Sequence, residues 1–137
     1  MFFETTIKVR YQETDQMGVA HHSVYPVWYE EARTDFIKQC LKISYSDVEK
    51  MGVMFPLSKI SCKYIKPAFY EDVLIVKTYL KNLTSVKLEF EYEIYKDSEL
   101  INTGYTEHPF VSKDFKLINL KKQNLKLFNI INSAYKN

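Results

Sequence analysis

"SVYPVWYEEARTDFIKQCL" (residues 23–41) decides the fold. Tyr25, Trp28, Tyr29, Ala32, Phe36 and Cys40 recur every three or four residues, the spacing of one broad apolar helix stripe. Ser23 is placed to cap this helix, and Pro26 falls in the first turn, where amides have no helical partner anyway. The spacing predicts a helix reaching about Leu41. A stripe this wide has to be buried against another apolar surface.

The strands supply that surface. "VKLEFEYEIY" (residues 86–95) sets Val86, Leu88, Phe90, Tyr92 and Ile94 against Lys87, Glu89, Glu91 and Glu93, one face covered and one solvated. "TTIKVRYQ" (residues 5–12) alternates Ile7, Val9 and Tyr11 with Lys8, Arg10 and Gln12, and Ile60, Cys62 and Tyr64 alternate with Lys59, Ser61 and Lys63. "DVLIVKTYL" (residues 72–80) is β-branched and short. "KDSE" (residues 96–99) turns into a strand from about Leu100 to Val111, and Phe115 to Asn119 reads as a further strand. "SDVE" (residues 46–49) has capping-box spacing for a short helix stopping at Gly52. Leu125, Phe128, Ile131 and Ala134 predict a closing helix. The fold class is α+β, an antiparallel β-sheet wrapped around one long central helix. Its open edges favour pairing with a second copy.

The 137 residues are expected to form one domain, residues 1–137. With 46% hydrophobic and 15% aromatic residues a sizeable core is available, so disorder is excluded. Nineteen basic residues balance 17 acidic ones, and only Arg10 and Arg33 are arginines, which argues against a nucleic-acid binder. Cys40 and Cys62 are too few and too far apart for a disulfide framework. "MFFETTIKVRY" (residues 1–11) lacks a basic n-region, and no run reaches the roughly 18 apolar residues of a membrane span. A cytoplasmic setting is the expectation.

Three blocks then carry a resemblance: "RYQETDQMGV" (residues 10–19), "HSVYPVWYEEARTDF" (residues 22–36) and "CKYIKPAFYEDVL" (residues 62–74). Their order, with D-x-x-G-V, H-x-x-Y and E-x-x-R-T, resembles the hotdog-fold acyl-CoA thioesterases of the 4-hydroxybenzoyl-CoA thioesterase type. The chain departs from that pattern in places. Glu13-Thr14-Asp15 stands where D-T-D is usual, Ala20-His21 where Val-Tyr is usual, and Val24 where asparagine is common.

Thioester hydrolysis needs an attacking oxygen and a holder for charge on the carbonyl oxygen. Asp15 can be nucleophile or general base, and the unpaired amides of the following helix can form an oxyanion hole. The resemblance implies the His22 amide as donor, with the His22 side chain orienting carbonyl or water. It also implies Gly18 as a close backbone approach to the thioester. Tyr25, Tyr29, Met54 and Phe55 then line the acyl pocket, and Lys63 and Lys66 lie near coenzyme A phosphates. Read without it, Asp15 is a plain turn former, the histidines are solvated or capping groups, and the lysines are wet. His21 reads as structural, and Glu13 as solvated.

The resemblance implies no cofactor beyond coenzyme A as part of the substrate, no metal, and a homodimer or homotetramer. Rival readings are a metal hydrolase on Asp15, His21, His22 and Glu13 or His108, and a hydratase of acyl thioesters. A non-catalytic acyl-CoA or protein-binding module and a thioesterase acting on acyl carrier protein are the others.

Overall fold

The computed structural model describes residues 2–136. Strand β1 (Phe2–Lys8) is followed by the long helix α1 (Tyr25–Cys40) and the short α2 (Tyr45–Lys50). Strands β2 (Lys59–Tyr64), β3 (Val73–Leu83), β4 (Lys87–Lys96) and β5 (Glu99–Pro109) come next, then α3 (Leu120–Gln123) and α4 (Leu125–Lys136). The strands form one antiparallel sheet in the order β1-β3-β4-β5-β2. Leu74, Val76, Leu88, Phe90, Tyr92, Ile94 and Ile101 present its apolar face. The stripe of α1 packs there, with Tyr25, Trp28, Tyr29, Ala32, Phe36 and Ile37 buried. This is the helix-wrapped α+β arrangement of a hotdog fold.

The differences from expectation are local. β1 stops at Lys8, because the Glu13 carboxylate takes the Arg10 amide at 2.8 Å and folds Tyr11–Glu13 into a 3-10 turn. Tyr11 is therefore exposed rather than a core strand residue. Ser23 does not cap the helix. His21 Nδ1 accepts from the Ser23 amide at 3.2 Å and caps a 3-10 turn (His22–Val24) that leads into α1, whose own N-cap, Val24, makes no side-chain bond. The capping box of α2 is Ser44 with Asp47, two residues ahead of the expected one. Phe115 to Asn119 makes only an isolated bridge through Leu117 to Val111, with Phe115 at φ 60°. The tail breaks at Asn124, whose side chain accepts from the Leu127 amide, so Leu127 is buried and Leu125 exposed.

Between the sheet and α1 a directed hydrogen-bond chain crosses the core. Arg33 Nη1 donates to the Tyr92 hydroxyl at 3.1 Å, which meets Thr106 Oγ1 at 2.6 Å. Thr106 meets His108 Nε2 at 2.9 Å, and His108 Nδ1 faces the Phe55 carbonyl at 3.2 Å. A carbonyl only accepts, so Nδ1 carries the proton and Nε2 accepts from Thr106. Burial, and then the Arg33 guanidinium, pull His108 down to about 4. In the unfolded chain the ring titrates near about 6.5. Between those values the unfolded chain holds a proton that the folded one does not. The stabilisation is therefore complete above about pH 6.5 and is lost as pH falls through 4, about 3 kcal/mol in all. His108→Gln should flatten this acid limb, read from urea midpoints at neutral pH and at pH near 4.5. Equal losses in both proteins would place the acid sensitivity elsewhere.

Candidate active site

The D-x-x-G-V block folds into a tight hairpin. Thr14 bridges Ala20, the Asp15 amide reaches the Val19 carbonyl at 2.9 Å, and the Gly18 amide reaches the Asp15 carbonyl at 3.0 Å. Gly18 sits at φ +76°, which accounts for glycine here through backbone conformation; nothing lies within 4 Å of where a Cβ would stand. The hairpin is strapped to the segment before β3 by Ala20 N–H to Ala68 O at 2.8 Å and Tyr70 N–H to Gly18 O at 3.2 Å.

Asp15 is half-buried, and only one of its oxygens is used. Oδ1 accepts from the amides of Met17 at 2.8 Å and Val19 at 3.2 Å. Oδ2 accepts no hydrogen bond among the described residues. The plain turn-former role is real, and it leaves one oxygen over. Seven residues on, the His22 amide likewise has no partner among the described residues, whereas its carbonyl accepts from the Tyr64 hydroxyl at 2.9 Å. The His21 and His22 rings lie against each other, centroids 4.1 Å apart and planes tilted by 35°. No three His, Cys, Asp or Glu side chains converge as metal ligands among the described residues.

A cleft of about 290 Å³ opens beside this step, lined by Val19, Ala20, His22, Tyr25, Tyr64 and Lys66 with Ile65 and Pro67. Partial burial, then Cys62, push Tyr64 up to about 12, and burial raises Tyr25 too, so both phenols stay protonated near neutral pH.

The other sequence candidates lie elsewhere. Tyr29 is fully buried, stacked on Tyr92 at 4.4 Å, its hydroxyl bonded to Asn102 and to Cys62 Sγ. Met54 and Phe55 line a separate cavity of about 200 Å³ with Tyr45, Val48 and Phe115. Lys63 borders a depression with Ser61, Glu91, Thr103 and Tyr105. Lys66 reaches the cleft while pairing with Glu99 at 2.9 Å, an exposed pair of small energetic weight. Glu13, expected to be wet, is only 6% exposed and accepts from Trp28 Nε1 at 3.0 Å. The sequence reading missed that contact and the Tyr64–His22 bond. The only signal for the former was that a buried indole N–H must find an acceptor.

The thioesterase superfamily model matches residues 17–101. YneP of Bacillus subtilis, provisionally named an acyl-CoA thioesterase, is 41% identical over 118 residues, 85% of each chain. The acyl-CoA thioester hydrolase YbgC of Escherichia coli is 29% identical over 73% of this chain and 75% of its own. Among solved structures, a DHNA-CoA thioesterase from Staphylococcus aureus superposes with a TM-score of 0.92 at 34% identity, covering 98% of this chain and 91% of that one. On these matches and the geometry above, the chain belongs to the thioesterase superfamily.

Proposed function

We propose that the protein hydrolyses acyl-CoA thioesters to the free acid and coenzyme A, with Asp15 and the backbone amide of His22 as the chemical pair. The observation that carries this is that Asp15 Oδ2, in the hairpin, and the His22 N–H, two residues after it, both lack a hydrogen-bond partner among the described residues. The carboxylate attacks the thioester carbon, or removes a proton from the water that does. The negative charge that collects on the carbonyl oxygen is held by the amide at the start of the helix, where the backbone dipoles help. The C–S bond then breaks and the sulfur leaves as the coenzyme A thiol, taking the proton that Asp15 removed from the attacking water. On the direct-attack route the acyl group is left on Asp15 as a mixed anhydride, and a water then hydrolyses it, freeing the acid, regenerating the carboxylate and supplying the proton for the thiolate. The His22 ring orients the carbonyl, and Tyr25 and Tyr64 flank the acyl group. The relatives' names support the substrate class.

No metal or further cofactor enters this scheme. The exposed edge strand β2, with Ile60 and Tyr64 uncovered, supports a homodimer closing that edge. No helix among the described residues is long and apolar enough to cross a membrane, in keeping with a cytoplasmic enzyme.

The test is thiol release from acyl-CoA esters, short, long-chain and aromatic with DHNA-CoA among them, on protein of measured molar mass. Turnover by a dimer supports the proposal. Turnover only with acyl carrier protein esters moves the substrate, and none with either leaves a binding module. Lys66→Ala should raise KM for the best ester about threefold to tenfold at unchanged kcat if Lys66 meets a phosphate, and an equal fall in kcat would remove that role. Lys63→Ala is the comparison, since Lys63 lies outside the cleft.

A further inference from the structure

Glu13 is a carboxylate inside the protein, and every acceptor it has is used. Oε1 takes the Arg10 amide at 2.8 Å, and Oε2 takes Trp28 Nε1 at 3.0 Å and the Arg10 guanidinium at 3.3 Å. Its backbone carbonyl takes the His21 amide at 2.8 Å. One residue therefore bonds to the turn after β1, to the step just before His22, and to the second turn of α1. It is also two positions ahead of Asp15. Trp28 in turn packs edge-on against Tyr25, with centroids 4.8 Å apart, in the wall of the cleft.

We infer that Glu13 is a positioning residue for hydrolysis, setting where the Asp15 carboxylate stands relative to the His22 amide by docking the hairpin onto Trp28. The inference rests on the roles proposed above for Asp15 and His22. Asp15 lies on the entering arm of the hairpin of residues 14–20, and His22 begins the 3-10 turn two residues past its exit. The strap to residues 68–70 holds residues 18–20 of that hairpin, and Glu13 ties its entry to α1 through Trp28 and to its exit through the His21 amide. A buried carboxylate stabilises a fold poorly beside an apolar side chain of equal volume. What it adds is direction: fixed acceptor angles for an indole N–H and two Arg10 donors. A reacting group misplaced by about 1 Å can cost on the order of 10²-fold in rate.

Glu13→Gln keeps the shape and turns an N–H toward one set of donors. Trp28 is the only tryptophan, so its emission reports the contact directly. The expected result is altered emission and a kcat about 10- to 100-fold lower with KM within about threefold, at a nearly unchanged melting temperature. Trp28→Phe should also lower kcat, and the double variant should be no slower than the slower single one, because both remove one contact. Additive losses overturn the proposal. So does an unchanged kcat, whether or not emission moves. If the wild type releases thiol from no ester, the thioesterase reading falls by itself. The geometric claim is then decided by the amide resonances of Met17, Val19 and His22 in Glu13→Gln. Shifts at all three uphold it, and shifts confined to residues 10–13 overturn it.

Discussion

Asp15→Asn should cut turnover of the best acyl-CoA ester by about 10²- to 10⁴-fold, the range lost when a positioned acid or base is removed. The fold should not notice. Asparagine keeps Oδ1, which accepts from the Met17 and Val19 amides, so the hairpin retains both of its side-chain bonds. Only Oδ2 changes, from an oxygen with a free lone pair to an amide nitrogen that can neither attack nor take a proton. Turnover and thermal melting measured on the same preparation separate the two roles. A variant that unfolds would make Asp15 a turn residue whose chemistry is incidental. One that stays folded and fully active would place the attacking group elsewhere.

Gly104→Ala should be the most damaging single methyl added to the sheet. Gly104 lies in β5 opposite Cys62 and Tyr92, and a Cβ there would overlap the Tyr29 ring and hydroxyl. That ring cannot step aside. It is stacked on Tyr92 at an interplanar angle of 10°, and its hydroxyl is held by Asn102 and Cys62. The methyl must therefore push α1 off the sheet or bend β5, a destabilisation of about 3 kcal/mol or more. Urea denaturation reads this as a lower midpoint. Adding Tyr29→Leu should recover part of the loss, because the smaller side chain vacates the space. A Gly104→Ala variant as stable as the wild type would mean that the ring stack yields freely.

The large periodic elements were legible. The stripe from Tyr25 to Phe36 and the alternation from Leu88 to Ile94 are long, and each is satisfied by a single burial surface, so helix, sheet and their packing follow together. Short elements were misjudged where one polar side chain outweighed periodicity. Glu13 ended β1 by capturing the Arg10 amide, His21 capped a 3-10 turn ahead of the helix that Ser23 was expected to cap, and Asn124 broke the tail so that Leu127 takes the place of Leu125 beside the expected Ile131 and Ala134. Of the residues singled out from three sequence blocks, His22, Tyr25 and Lys66 line the cleft, and Asp15 and Gly18 stand in the hairpin beside it. Tyr29, Met54, Phe55 and Lys63 lie away from the cleft because spacing along a chain does not say which side of the folded sheet a side chain reaches.

By itself, then, the sequence determined the α+β class, the central helix, the order of hairpin and helix start, and the family resemblance. Each of these depends on contacts within one element or on a pattern repeated over many residues. The tertiary structure alone decided that Glu13 is buried against Trp28, that Tyr64 holds the His22 carbonyl, and that Gly104 makes room for Tyr29. Those contacts join residues 15, 42 and 75 positions apart. A hydrogen bond or a steric gap of that kind leaves no period in the chain. It exists only once the sheet has closed around the helix and brought the two partners within a few ångströms.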